Sequence, residues 1–234
     1  MPSARSHLQP VNPPESSWRD GKWLLFVEFA VVAATFFADR HHLIFFSKTP
    51  YLLVLAWLSF RIRKVSWKQI GFTLYGNWPR TLLLGISLGI GLELFDLFGK
   101  QRLLTLIIGK PPDLSVFHAV TGNVKLALLM LCFVWTLAAF GEELFYRGYL
   151  MNRVADLFGR THGAWAASLV LTSAVFGLAH AGQGITGILE EGSDGLILGL
   201  MYLAFGRSLA VPIVAHGVSD TIDTLLLFLG KYPS

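Results

Sequence analysis

Residues 124–150 read VKLALLMLCFVWTLAAFGEELFYRGYL and contain the pattern that decides the fold. The stretch is almost continuously apolar up to Phe140, and Lys125 is its only charged residue before that point. About 20 apolar residues are enough to cross the hydrocarbon core of a bilayer, so the stretch predicts a transmembrane helix. Two acids and an arginine follow where the apolar run ends. Ionisable residues within a membrane span usually belong to a functional site, so we take these three as candidates for one.

The composition of the whole chain agrees with this local pattern. Of 234 residues, 53% are hydrophobic and 15% are charged, whereas a soluble domain carries about 25% charged residues. This balance excludes a disordered chain, a nucleic-acid-binding module and an ordinary soluble enzyme. The net charge of +4 comes from loops, as the positive-inside bias of membrane proteins produces, so we expect no nucleic-acid partner. The single cysteine, Cys132, excludes an internal disulfide.

Further apolar blocks predict an all-α fold, a polytopic transmembrane helix bundle of about seven to eight spans. The block at 195–205 is short for a crossing, so we expect its helix to start earlier or to continue past Gly206. Residues 103–108 are too few to cross and are expected at the membrane interface. The other predicted spans are 23–38, 43–60, 81–98, 164–180 and 209–229.

The distribution of polar residues predicts the domain organisation and the orientation. Residues 1–22 are mostly polar and contain three prolines, which predicts a flexible N-terminal tail. Residues 23–234 would form a single multi-span membrane domain, with its polar motifs in a core at 124–230. The tail and the second loop are rich in Lys and Arg, and basic loops stay on the cytoplasmic side. We therefore expect an integral, multi-pass protein of the cell (inner) membrane with a cytoplasmic N-terminus.

Three polar motifs interrupt the apolar blocks of the second half. An ionisable side chain at mid-membrane costs about 2.5–3.5 kcal/mol, so three or four unpaired ones would cost about 10 kcal/mol. That cost is comparable with the net stability of a domain, roughly 5–15 kcal/mol. We therefore predict that the motifs face one another across the bundle. Their residues are Glu142, Glu143 and Arg147, then Phe176 and His180, then His216 and Asp220.

Helix geometry separates the roles that these residues can take. Residues four apart share a helix face, so Glu143 and Arg147 can form an ion pair, while Glu142 points elsewhere. His216 and Asp220 likewise present an imidazole and a carboxyl side by side. The set suits activation of water with stabilisation of an oxyanion, or ligation of a divalent metal. Each motif alone also has a purely structural interpretation, as a helix ion pair, a capped histidine or a buried hydrogen-bonded pair.

The ordered trio of motifs resembles the CAAX-protease and bacteriocin-processing (CPBP, Abi-like) family of intramembrane endopeptidases. That family carries Glu-Glu-x-x-x-Arg, Phe-x-x-x-His and His-x-x-x-Asn or Asp on successive membrane helices. Here the motifs lie in the same order within residues 142–220, and the first 120 residues match only as generic apolar spans. The resemblance implies a peptide hydrolase domain with a peptide or protein substrate at or in the membrane, surrounded by membrane lipids.

The resemblance also implies roles for the motif residues. Glu142 would activate water together with His180, and His216 with Asp220 would stabilise the oxyanion of the scissile carbonyl. Arg147 would hold Glu143 and the helix end. Some members carry Asn at the position of Asp220, and Asn donates a hydrogen bond to an oxyanion whereas an ionised Asp cannot. Asp220 must then be protonated, orient His216 or hold a metal ion.

Several alternatives stay open at this point. The family has been described both as metalloproteases and as metal-free glutamic proteases, and Glu142, His180 and His216 would make a credible triad for a divalent metal such as zinc. A non-catalytic membrane binding or immunity protein could use the same fold, and a proton-coupled transporter could use the same buried groups. The pattern assigns no role to the remaining acids in apolar blocks, which are Glu28, Glu93, Asp96 and Asp223.

Overall fold

The computed structural model describes residues 18–232, and this part of the chain is helical with no strand. The prediction of an all-α fold is confirmed. Residues 1–17 of the predicted tail lie outside the described residues. Short 3-10 turns occur at Trp18–Asp20, Ser115–Val120 and Ala181–Gln183. The long helices are α1 (Lys22–Arg40), α2 (Lys48–Arg63), α3 (Trp78–Ile108), α4 (Val124–Leu157), α5 (His162–Ala179), α6 (Gly184–Ala204) and α7 (Ala210–Phe228).

Four of these helices are long and apolar enough to cross a membrane, namely α3, α4, α5 and α7. The fold is therefore a polytopic helix bundle, as predicted. Helix α2 has only 16 residues, and α6 contains the acids Glu190, Glu191 and Asp194. Crossing by α1, α2 and α6, and with it the full number of spans, stays a prediction. The outward faces are apolar, with Leu83 and Val170 more than half exposed, as a surface in contact with lipid requires.

Capping side chains mark the start of some of the helices. Asn77 caps α3 by accepting a hydrogen bond from the Arg80 N–H over 3.0 Å, and Thr161 caps α5 in the same way. Residues 103–108 are the last part of α3, because a π-type turn at Asp96–Lys100 continues the helix, and their position at the membrane interface stays a prediction. Helix α6 starts at Gly184, which confirms that it begins before residue 195.

Glycines let the helices around the polar motifs approach closely. A Cβ atom at Gly89 of α3 would lie 2.5 Å from the carbonyl oxygen of Ala215 in α7. A Cβ atom at Gly177 of α5 would lie 2.3 Å from the carbonyl oxygen of Ile188 in α6. No real side chain tolerates such distances, so both contacts require glycine. Small residues at helix contacts are typical of packing within a bilayer.

Successive helices run in alternating directions, so their loops gather at two ends of the bundle. At one end Gly71 accepts a hydrogen bond from the Leu209 N–H over 2.7 Å. At the opposite end the ammonium group of Lys48 donates to the carbonyl oxygen of Ala179 over 3.1 Å. We call the first end the basic end, because its helix termini and loops carry Arg19, Lys22, Arg61, Arg63, Lys64, Lys68, Arg80, Arg153, Arg160 and Arg207.

Candidate active site

The central part of α4, Val134–Leu150, is wound as a π-type helix and carries the first motif. Short π-type turns occur often at functional sites. Glu142 is half-buried, whereas Glu143 is completely buried. The two adjacent acids therefore point in different directions, as predicted, and only Glu142 lines a cavity.

Glu143 forms the predicted ion pair with Arg147. Arg147 Nη1 lies 2.6 Å from Glu143 Oε1, and Arg147 Nη2 donates to the carbonyl oxygen of Gly195 over 2.8 Å. The guanidinium group also lies 5.0 Å from the centroid of the Phe176 ring, a cation–π contact. Arg147 thus ties α4 to α5 and α6, and the predicted ion pair is confirmed.

Glu143 has a second contact that helix geometry alone could not predict. His216 Nδ1 of α7 lies 3.0 Å from Glu143 Oε1, the same oxygen that binds Arg147. On the other side of the ring, His216 Nε2 lies 3.5 Å from Asp220 Oδ2, so the predicted proximity of His216 and Asp220 is confirmed. The imidazole is therefore held between two carboxylates on different helices.

His180 sits at the end of α5, where its ring is fixed by the backbone. Its Nδ1 lies 2.9 Å from the carbonyl oxygen of Phe176. A carbonyl can only accept, so Nδ1 carries the proton, and Nε2 is then the acceptor nitrogen of the neutral ring. The same Nδ1 is 4.0 Å from Glu191 Oε2. The close contact at Gly177 places this helix end against α6 and its acids.

The three motifs meet at one cavity of about 690 Å³. Glu142, His180, His216 and Asp220 all line it. Phe176, Glu143 and Arg147 are buried behind these side chains. The prediction that the motifs face one another across the bundle is confirmed. Residues near the end opposite the basic end, including Ser47 and Pro112, also line the cavity.

More acids line this cavity than the motifs supply. Glu93 accepts a hydrogen bond from the Ser219 hydroxyl over 2.8 Å. Lys100 Nζ lies 2.6 Å from Asp96 Oδ1 and 2.5 Å from Asp194 Oδ2. The motif analysis missed these acids as lining residues, although the place of Glu93 and Asp96 in an apolar block was a signal. The full set of additional lining acids is Glu93, Asp96, Glu190, Glu191, Asp194 and Asp223.

Three of the side chains at the cavity are candidate ligands for a metal ion. Within residues 18–232, no group of three or more His, Cys, Asp or Glu side chains is arranged so that it could hold a metal ion. Glu142, His180 and His216 share a cavity but do not form such a group. The zinc triad suggested by the resemblance stays a prediction, as does every catalytic role.

An all-helical bundle that places a glutamate, two histidines and an aspartate at one internal cavity belongs to the class of integral membrane proteins with a polar site among their helices. The model of the family described as type II CAAX prenyl endopeptidase Rce1-like matches residues 124–222. This match covers all three motifs and confirms the resemblance to the CAAX-protease family. It supports an intramembrane endopeptidase in general, acting on a peptide or protein at the membrane. No curated protein and no solved structure matches the chain.

Proposed function

We propose that the protein hydrolyses a peptide bond of a membrane-associated or lipidated substrate, with a water molecule activated by Glu142 and His180. The observation that carries this proposal is the single cavity that Glu142, His180, His216 and Asp220 line together inside an apolar bundle. Hydrolysis in a membrane needs water, a base and an oxyanion partner in one place. The family match over the same helices supports a peptide as the substrate class.

Glu142 is the general base in this proposal. Its carboxylate is half-buried and has no arginine on its own face of the helix, since Arg147 is bound to Glu143. It can therefore take a proton from water and later pass it to the leaving amine. With Nδ1 held by the Phe176 carbonyl, His180 offers Nε2 as a second acceptor for the same proton.

His216 stabilises the oxyanion in this proposal, and Asp220 orients it. Both ring nitrogens face a carboxylate oxygen, an arrangement that is satisfied when both nitrogens carry protons. The contact of Nε2 with Asp220 is the longer one, at 3.5 Å, so the Nε2–H can donate to a developing oxyanion while Glu143 holds Nδ1. Of the three roles that the sequence left open for Asp220, the contact with His216 supports the orienting role.

We further propose glutamic-type catalysis without a metal ligand set. The support is that, within residues 18–232, no group of three or more His, Cys, Asp or Glu side chains is arranged so that it could hold a metal ion. Dialysis against EDTA should then leave the cleavage rate of the purified protein unchanged, and metal analysis of the same sample provides the control. Loss of cleavage on chelation with recovery on adding zinc would replace this proposal with the Glu142, His180 and His216 metal triad.

The orientation proposal is a cytoplasmic N-terminus in the cell (inner) membrane. Its support is the concentration of Lys and Arg at the basic end, which also contains Trp18–Asp20. In this orientation the cavity lies toward the opposite, non-cytoplasmic side. Cleavage of an N-terminal tag by a protease added outside intact cells would reverse the assignment.

Two variants test the enzymatic proposal directly. Glu142→Ala and His180→Ala should each lower the rate of cleavage of a membrane-anchored reporter peptide by about 10²–10⁴-fold, with unchanged thermal unfolding. Asp113→Ala is the control, because Asp113 is an exposed acid that does not line the cavity. Full cleavage by both site variants would refute the mechanism. Binding of the peptide without cleavage by the wild type would favour a binding or immunity protein, and peptide-independent ion flux in proteoliposomes would favour a transporter.

A further inference from the structure

A second cavity, of about 470 Å³, lies at the basic end of the bundle. We call it the basic pocket. It is formed where the loop after α2, the end of α4 and the loop before α7 meet, and it shares no lining residue with the active-site cavity. Its lining residues include the cations Lys68, Arg153, Arg160 and Arg207.

The charge of the basic pocket is not balanced by its surroundings. None of its lining residues is acidic. Asp156 lies nearby and is shared, since Arg153 Nη2 is 3.0 Å from one of its oxygens and Arg160 binds the other. One carboxylate therefore faces two guanidinium groups, while Lys68 and Arg207 add two further positive charges. A pocket with this excess of positive charge favours an anion.

Buried polar side chains hold the basic pocket in place. Arg153 is only 3% exposed, and its Nε has no hydrogen-bond partner among the described residues. Asn152 is also buried; it donates to the carbonyl oxygen of Arg147 over 3.1 Å and accepts from Arg160 Nη2 over 3.2 Å. Burial of Arg153 and the hydrogen bond between Asn152 and Arg160 fix both arginines at the wall of the pocket, so little side-chain ordering is needed when an anion binds.

An aromatic ring brings two of the cations together. The guanidinium groups of Arg160 and Arg207 lie 5.5 Å and 5.2 Å from the centroid of the same Trp165 ring. Both residues have positive φ angles, 56° and 62°, a conformation that is uncommon for residues other than glycine. Because Arg160 and Arg207 both line the pocket, an anion bound there is attracted by both guanidinium groups.

We propose that the basic pocket binds a phosphate group, carried either by an anionic membrane lipid or by a soluble phosphate compound. Guanidinium groups present paired N–H donors that match phosphate oxygens. Basic pockets between the ends of membrane helices bind anionic lipid headgroups. The neighbouring Trp67 is half exposed, and exposed tryptophans mark the headgroup level of a membrane. This binding is independent of the proposed cleavage activity.

The two sources are distinguished by two measurements on the full-length protein. In the first, the protein is reconstituted in phosphatidylcholine nanodiscs with a small fraction of phosphatidylglycerol, and the affinity for phosphatidylglycerol is measured by native mass spectrometry. In the second, inorganic phosphate is titrated by calorimetry into protein in pure phosphatidylcholine nanodiscs. Binding in the first alone identifies a lipid site, and binding in the second alone identifies a soluble phosphate site.

The double variant Arg160→Gln with Arg207→Gln tests the pocket itself. Each Lys or Arg near an anionic group contributes about fivefold to affinity, so the pair should weaken binding by about thirtyfold. The matched control is Arg61→Gln with Arg80→Gln, because these arginines also lie on aromatic rings at the basic end but do not line the pocket. The control should change the affinity by less than about twofold.

A single variant covers the case in which the double variant unfolds. Lys68 is exposed, so Lys68→Gln should keep the unfolding temperature and weaken binding by about fivefold. Equal weakening by the control pair would show a general surface charge effect and overturn the proposal. Absence of binding in both measurements would overturn it as well.

Discussion

Two buried Glu–Arg pairs in the described part of the chain differ in how completely their carboxylates are bonded. In the pair of α1 and α2, Glu28 Oε1 binds Ser59 and Arg63 Nε, and Oε2 binds Arg63 Nη2 over 3.1 Å. In the pair within α4, Oε1 of Glu143 receives both Arg147 and His216, and Oε2 has no partner.

The difference in bonding indicates that one pair serves only the fold, whereas the other also supports the proposed active site. Glu28 and Arg63 satisfy each other in a bidentate contact, which is the geometry of a stable buried ion pair. Glu143 instead shares one oxygen between a cation and the imidazole that lines the cavity. Its charge therefore acts on His216, and we infer that the first pair stabilises the fold while the second also positions the proposed catalytic group.

The largest expected effects come from removing each glutamate. Glu28→Ala and Glu143→Ala each leave a buried arginine without its partner, which costs about 3–5 kcal/mol of unfolding free energy. Only Glu143→Ala should also lower cleavage per folded molecule, by about 10²–10⁴-fold, the range seen when a catalytic histidine loses its orienting carboxylate. Denaturant unfolding in detergent and cleavage of a reporter peptide provide the two measurements. Equal loss of cleavage in both variants would remove the distinction between the pairs.

Replacing both partners of a pair gives a smaller change in stability. Glu28→Leu with Arg63→Met, and Glu143→Leu with Arg147→Met, leave no unpaired arginine, and such replacements are often neutral or stabilising by about 1–4 kcal/mol. We expect both double variants to recover the stability lost in the alanine variants. Cleavage should be normal in the first and remain lost in the second, because His216 still lacks its acceptor. Recovery of cleavage in the second would show that Glu143 serves the fold alone.

The sequence predicted the contacts that lie within one helix. The pairs Glu143–Arg147 and His216–Asp220 both have four-residue spacing, and the cost of unpaired ionisable groups in a membrane predicted that the motifs converge. The contact between Glu143 and His216 joins residues 73 apart in sequence and depends on how α4 and α7 pack. No periodicity in one helix contains that information, so the orienting contact of the site was missed.

The acids to which the sequence assigned no role also show that sequence patterns predict contacts within a helix better than contacts between helices. Asp96 and Lys100 have four-residue spacing, and their ion pair could have been found from it. Glu28 binds Arg63 of the next helix, and Glu93 binds Ser219 of α7. Both contacts join different helices, so they depend on tertiary packing and not on spacing within one helix. Helix α6 extends further than the apolar block at 195–205 for a related reason. The acids in its first half lower the hydropathy there, but they line the cavity and do not face lipid.

The smallest expected effect concerns the outer partner of His216. Asp220 lies 3.5 Å from His216 Nε2, and its side chain is 29% exposed, so the contact contributes about 1 kcal/mol or less. Asn at this position keeps an acceptor for His216 and adds a donor for the oxyanion. Asp220→Asn should therefore keep the unfolding temperature and change the cleavage rate by less than about tenfold. Asp220→Ala removes the acceptor without adding a donor and should lower the rate further. If Asp220→Asn were as inactive as Glu142→Ala, Asp220 would itself transfer a proton, and the orienting role would then belong to Glu143 alone.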